Sequence, residues 1–171
     1  MFLKGIKRKS AQKYLFQQLQ VLRPIDQSKI RTVGVLVDAR IFPSFPYLSE
    51  LAQVFNINTN DIDVLYYHDD KKIAEEFSEP IYTDANLKFK GKLEHQKATA
   101  FITTKFDVLL NFYNVDELLL NLVAVQSSAK YKIGFSGVNE QINDLCVVTE
   151  LSNIKSFTFE LKKYLSILNK I

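Results

Sequence analysis

The sequence is short of the residues that usually announce a small reactive site. Its 171 residues include one cysteine, one methionine, two histidines, five glycines, four prolines and no tryptophan. A single cysteine, Cys146, excludes a disulfide within the chain, so nothing points to an oxidising compartment. It lies in the apolar run Leu145-Cys146-Val147-Val148 and reads as a small buried hydrophobe rather than an activated nucleophile. His68, His95 and Cys146 are too few and too far apart in sequence for a zinc site. The scarce glycines form neither a dinucleotide fingerprint after a strand nor a phosphate-binding P-loop. Gly34 sits inside an apolar run, and Gly134-Phe135-Ser136-Gly137 lacks the spacing of a nucleophile elbow. Nicotinamide enzymes, P-loop NTPases and serine hydrolases are therefore disfavoured, and neither a cofactor nor a metal is expected.

Long apolar runs are also missing. The longest, around Val115–Val125, carries Asp116, Glu117 and Asn121 and falls far short of the roughly 20 residues that span a bilayer. Met1–Lys9 has charges but no apolar core of the signal-peptide kind. The chain reads as a cytoplasmic protein without a membrane span.

Apolar residues make up 47% and charged residues 24%, with 13 Phe and 8 Tyr. That is enough for a globular core. The net charge of +3 hides an asymmetry. Residues 1–31 contain eight Lys or Arg and one Asp, whereas the remainder is mildly acidic. This divides the chain into a basic N-terminal helix and linker over 1–30 and one α/β domain over 31–171.

Hydrophobic spacing predicts a helix over 10–22, capped by Ser10 and ended by Arg23-Pro24. Strands are predicted at 32–37, 62–67, 106–112, 131–135 and 145–148, with a weaker one at 80–83 or 85–89. These are short, apolar on both faces and rich in β-branched residues, as parallel strands are. Between them, helices are predicted around 47–55, 98–105, 115–126 (Asn114 as cap) and 153–168. The last has a core stripe of Ile154, Phe157, Leu161, Tyr164, Leu165 and Leu168. Alternation of this kind builds a Rossmann-like three-layer sandwich with a mostly parallel sheet.

In such sheets ligands sit outside the carboxyl ends of the strands. Four strand ends carry polar groups: Asp38 with Arg40, His68 with Asp69 and Asp70, Asn111 with Tyr113 and Asn114, and Ser136 with Gly137 and Asn139. Asp38, Arg40, His68, Asp69 and Asn111 are the candidate ligand contacts, with Asp38 or His68 as the acid/base. Asp, Asn, Ser and Gly are also the residues that turn chains, so ordinary turn and cap chemistry is the plainer reading. Asp69-Asp70 invites a divalent cation, but adjacent carboxylates on one strand end diverge.

The second candidate set is Lys4, Lys7, Arg8, Lys9 and Lys13. These side chains read as a solvated helix face, as a binder of RNA or another polyanion, or as contacts to an anionic membrane with Phe2, Leu3 and Ile6 beside them.

The whole chain resembles a family of small uncharacterised bacterial proteins of unknown function. The likeness runs through Val33–Asp38, Phe106–Asn111, Ala129–Gly134, Asn143–Leu145 and Glu160–Leu165, and it implies no activity. Residues 106–135 are also similar to a segment in the N-terminal half of heptosyltransferase-type glycosyltransferases, where a strand, an apolar helix and a strand ending Ile-Gly-Phe follow one another. That resemblance implies a Rossmann-like half-domain. The chain is too short for the second nucleotide-sugar domain such enzymes use.

Three functions follow as expectations. The first is a non-catalytic domain docking through residues 1–23 on a polyanion, RNA or a ribonucleoprotein. The second is a small nucleotide- or sugar-binding domain or enzyme using the carboxyl edge. The third is a scaffold that dimerises through a sheet edge.

Overall fold

The computed structural model describes residues 1–171. Six strands form one sheet: β1 (Val33–Asp38), β2 (Ile62–Tyr67), β3 (Ile81–Tyr82), β4 (Val108–Phe112), β5 (Tyr131–Phe135) and β6 (Leu145–Val147). Their order is β3-β2-β1-β4-β5-β6, and every pairing is parallel. This is the strand order of a Rossmann-like fold, with the order reversing between β1 and β4. Strands β1, β4 and β5 are buried along their whole length. That is why they read as continuous apolar runs rather than as alternation.

Six helices complete the layers: α1 (Phe2–Leu19), α2 (Leu48–Phe55), α3 (Lys71–Ala74), α4 (Gln96–Thr103), α5 (Leu118–Gln126) and α6 (Ile154–Ile167). On one face, α2 and α6 enclose a core of Val33, Val35, Val37, Leu110, Phe112, Ile133 and Phe157. On the other, α1, α4 and α5 cover Leu36, Leu65, Tyr67, Leu109 and Phe101. Residues of β1 alternate between these two cores, as the two-residue period of a strand requires. Gly34 is needed for close packing, since a Cβ there would meet the Phe106 ring at 2.7 Å.

Two helix starts differ from the sequence expectation. Helix α1 begins at Phe2, eight residues before Ser10, and no side chain caps it. Ser10 instead accepts a hydrogen bond from the backbone N–H of Lys90 at 3.1 Å. Helix α5 begins at Leu118, and its cap is Glu117 rather than Asn114. In α6, Asn153 is the cap as read, but Tyr164 and Leu168 are exposed and outside the core stripe. Cys146 is half-buried on the edge strand β6 rather than enclosed, and its thiol is pushed up mainly by that burial.

Helix α1 is fastened along its length. Ala11 is fully buried, and Tyr14, Leu15 and Leu19 pack against the α5 core. A 3₁₀ turn, Phe89–Gly91, lies against it. Gly91 has φ +70°, and any Cβ there would sit 2.9 Å from both Tyr14 and Leu122. Only glycine satisfies both the left-handed backbone and the close approach. The turn that closes the Lys88–Lys92 loop is thus built to receive α1.

Candidate functional site

The region outside β1 and β4, where a Rossmann-like sheet usually holds its ligand, is filled by the protein's own side chains. On the α2 side, Phe42, Phe45 and Tyr47 of the loop after β1 stack edge-on around Phe112, with centroids 5.0–5.9 Å from that ring. On the α1 side lies Arg40. Its Nε and one guanidinium nitrogen donate to the two oxygens of Asp38, each at 2.8 Å. Asp38 is 1% exposed, so this bidentate pair is what makes its burial tolerable. The same guanidinium lies 3.5 Å from Asp69, 3.7 Å from Glu117 and 5.4 Å from the centre of the Tyr67 ring. Hydrogen bonding to Asp38 holds the Arg40 guanidinium above its ordinary value, against the opposing effect of burial.

The network continues into α1. Arg8 approaches Glu117 at 3.4 Å and donates to Asp84 at 2.8 Å. Lys4 reaches the same oxygen of Asp84 at 3.0 Å. The Tyr67 hydroxyl donates to the other oxygen at 2.9 Å. Burial pushes the Asp84 carboxyl up, but Lys4, Tyr67 and Arg8 outweigh it and hold it below the usual carboxylate range. One connected set of charges therefore joins the ends of β1 and β2, the turn after β3, the start of α5 and the N-terminal half of α1.

The other strand-end groups serve local structure. Asp70 caps α3, accepting from Lys72 N–H at 2.8 Å. His68 Nδ1 accepts from Asp70 N–H at 2.9 Å, which makes that nitrogen an acceptor in the neutral ring. Asn111 donates to Asn143 at 2.7 Å and is buried, with its own oxygen unpartnered. Tyr113 donates to Asn121 at 3.2 Å. Gly137 N–H and the Ser136 hydroxyl both bond Glu140. Asn139 donates to Asp116, which links the loop after β5 to the start of α5. No group of three or more His, Cys, Asp or Glu side chains is arranged to hold a metal ion.

The structure does leave a cleft beside this network. It measures about 330 Å³ and lies between α1, the loop leading into α3 and the turn after β3. Its charged lining is Lys4, Lys7, Arg8 and Lys71 against Asp69 and Asp84. The two candidate sets read from sequence thus meet here. Asp69 comes from the strand-end group, and Lys4, Lys7 and Arg8 come from the helix. Asp38, Arg40, His68 and Asn111 do not line it.

The remaining lysines of α1 face outward. Lys9 and Lys13 are exposed, and neither forms an ion pair. The Lys88–Lys92 loop adds Lys88, Lys90 and Lys92 alongside the helix, and of these only Lys88 is paired, with Glu94 at 2.6 Å. Glu94 is held below its ordinary value chiefly by Lys88, with smaller contributions from Lys92 and Lys7. Sequence reasoning missed this loop as a partner of the helix. It also missed Asp84 and Glu117 as the acids that hold Lys4 and Arg8. The signal for the first was Lys-x-Lys-Gly-Lys at a predicted turn.

The helices hold no segment long and apolar enough to cross a membrane. A model of the family of unknown function DUF6913 matches residues 7–168. No curated protein matches the chain. Among solved structures, the chain is similar to the A chain of dipicolinate synthase from Bacillus halodurans, at 15% identity and a TM-score of 0.35, over 98% of this chain and 56% of that one. It spans little more than half the length of that protein, and a likeness this slight carries no argument.

Proposed function

We propose a function from the geometry alone, because the chain belongs to the DUF6913 family, whose function is unknown. The protein is a non-catalytic cytoplasmic domain in which residues 1–30 form a basic docking face on the body 31–171, and that face binds a polyanion. RNA, a ribonucleoprotein and other phosphate-bearing surfaces fall within this class. The observation that carries the reading is the packing of the Lys88–Lys92 loop on α1. It adds three lysines beside Lys7, Lys9 and Lys13 on a helix that has no acidic residue. Unpaired lysines held at fixed positions displace counterions from a polyanion. The charged groups at the carboxyl edge, by contrast, are paired with one another, which supports a structural role for them.

Truncating residues 1–23 would also uncover the core beneath Ala11 and Tyr14, so charge reversal is the cleaner test. Binding of the intact chain to heparin across a salt series should weaken steeply as salt rises. Lys9→Glu, Lys13→Glu and Lys90→Glu together should abolish it without lowering the unfolding midpoint. Salt-independent binding, or binding unchanged in the triple variant, would exclude this face.

A second reading is favoured by the cleft. A small anionic ligand such as a nucleotide or sugar phosphate would find Lys7 and Lys71 on its walls, with Asp69 as the polar contact from the strand-end set. A thermal-shift screen of such compounds tests it. Stabilisation lost on Lys7→Ala but kept in Lys13→Ala would favour this cleft over the outer face.

A further inference from the structure

The outer side of α1 is not only basic. Residues 2, 6, 9, 13 and 16 share the side of the helix opposite the buried Ala11, by their spacing and by their exposure. They read Phe-Ile-Lys-Lys-Phe. Phe2 is 85% exposed and Phe16 is 66% exposed. The loop that packs beside the helix adds Phe89, 48% exposed, between its own lysines. Large apolar side chains and unpaired ammonium groups thus occupy one surface, spanning about 20 Å along the helix.

We infer that the partner of this face is an anionic lipid surface. The inference rests on the polyanion reading above and narrows it to one class of partner. Three features of the surface select lipid among phosphate-bearing partners. Leu3 and Ile6 have no flat face on which a base can stack, so they gain nothing from nucleic acid, whereas an acyl layer removes them from water. The unpaired cations are all lysines, whose apolar stems lie along a hydrocarbon boundary while the ammonium reaches the headgroups. Lysine also lacks the bidentate fork that favours arginine in nucleic-acid recognition. A second copy of this chain is disfavoured, since two such helices would face each other with cations and no acid between them. The helix would lie in the interface plane, its inner side still packed on the sheet.

The chain contains no tryptophan, so Phe16→Trp gives a single emission reporter on the face. The intact chain and this variant would be titrated with phosphatidylcholine vesicles, with phosphatidylcholine–phosphatidylserine vesicles, and with single-stranded RNA. The expected result is co-sedimentation with the serine-lipid vesicles only, accompanied by a blue shift of the indole emission in Phe16→Trp. Phe2→Ser combined with Phe89→Ser should weaken this about tenfold or more with every lysine retained and the circular dichroism unchanged. Binding to RNA without binding to vesicles would overturn the lipid inference and leave the polyanion reading standing. Vesicle binding that ignores phosphatidylserine, or that survives loss of both aromatic rings, would overturn it as well. Failure to bind either partner, or heparin, would remove both readings together.

Discussion

Two surfaces of this molecule carry dense charge, and they handle it in opposite ways. At the carboxyl edge, Asp38, Arg40, Asp84, Arg8 and Glu117 form a chain of contacts between 2.8 and 3.7 Å. Around the outer side of α1, Lys9, Lys13, Lys90 and Lys92 have no acidic partner and stand beside exposed Phe2, Phe16 and Phe89. Buried charge needs a partner because the interior does not replace water. Exposed charge does not, and a cluster of one sign is mildly unfavourable for the folded chain by self-repulsion. A surface that stability does not explain is the better candidate for function.

The largest effect should come from the one buried charge that escapes this pairing. Lys132, in β5, is 1% exposed, and its ammonium donates only to the Val125 carbonyl, at 3.2 Å. Burial, helped by Arg23 and opposed by Asp144, lowers it from 10.5 to about 7. Between those values the unfolded chain binds the extra proton and the folded chain does not, so stability rises with pH across that window. Below about pH 7 both states are protonated and the full penalty applies. Lys132→Met should therefore stabilise at pH 6 by on the order of 4 kcal/mol and by little at pH 10. Denaturant titrations at the two pH values check it. An equal effect at both would mean that Lys132 is neutral throughout or is paired in solution.

Next in size are the paired acids. Asp38→Ala leaves Arg40 with only its longer contacts to Asp69 and Glu117 and should cost about 3 kcal/mol by chemical denaturation. Asp84→Ala should cost about 1–2 kcal/mol. Because the Asp84 carboxyl sits below its ordinary value, this contribution is present at neutral pH and disappears as pH falls through the lowered value. The same substitution frees Lys4 and Arg8. It should therefore tighten polyanion binding while it weakens the fold. Movement of both quantities in the same direction would break the contrast between the two surfaces.

The parts of the fold that were legible in sequence are those whose cause is local. Strands β2 and β5 fall where their apolar runs do, because a parallel strand buried on both faces has no polar side to blur its ends. The weak strand near Pro80 is the two-residue edge strand β3. The start of α1 was hidden because its first turns lack both a cap and an acidic residue, while Ser10 imitates a cap. What holds those turns is distant in sequence: Arg8 on Asp84 and Glu117, and Ser10 on Lys90. The same holds at the edge. That the polar groups end the strands could be read from the residues. That Arg40 would close on Asp38, and Tyr67 on Asp84, depended on how the ends of β1 and β2 and the turn after β3 meet. The cleft is a product of α1 docking, so neither candidate set alone could have located it.

The smallest expected effect on stability is also the sharpest test of the comparison. Lys13→Glu changes an exposed side chain with no ion pair, and its stability change should stay within about 0.5 kcal/mol. If Lys13 contacts the polyanion, the plot of log affinity against log salt should lose about one unit of slope, because one fewer counterion is released. Glu50→Lys, on α2 across the sheet, is the matched control: it changes charge by the same amount with opposite sign and far from α1. A global field would move the affinity of the two variants by equal and opposite amounts. A docking face on α1 responds to Lys13→Glu and leaves the slope of the control unchanged, and only that outcome keeps the functional charge on the surface where pairing is absent.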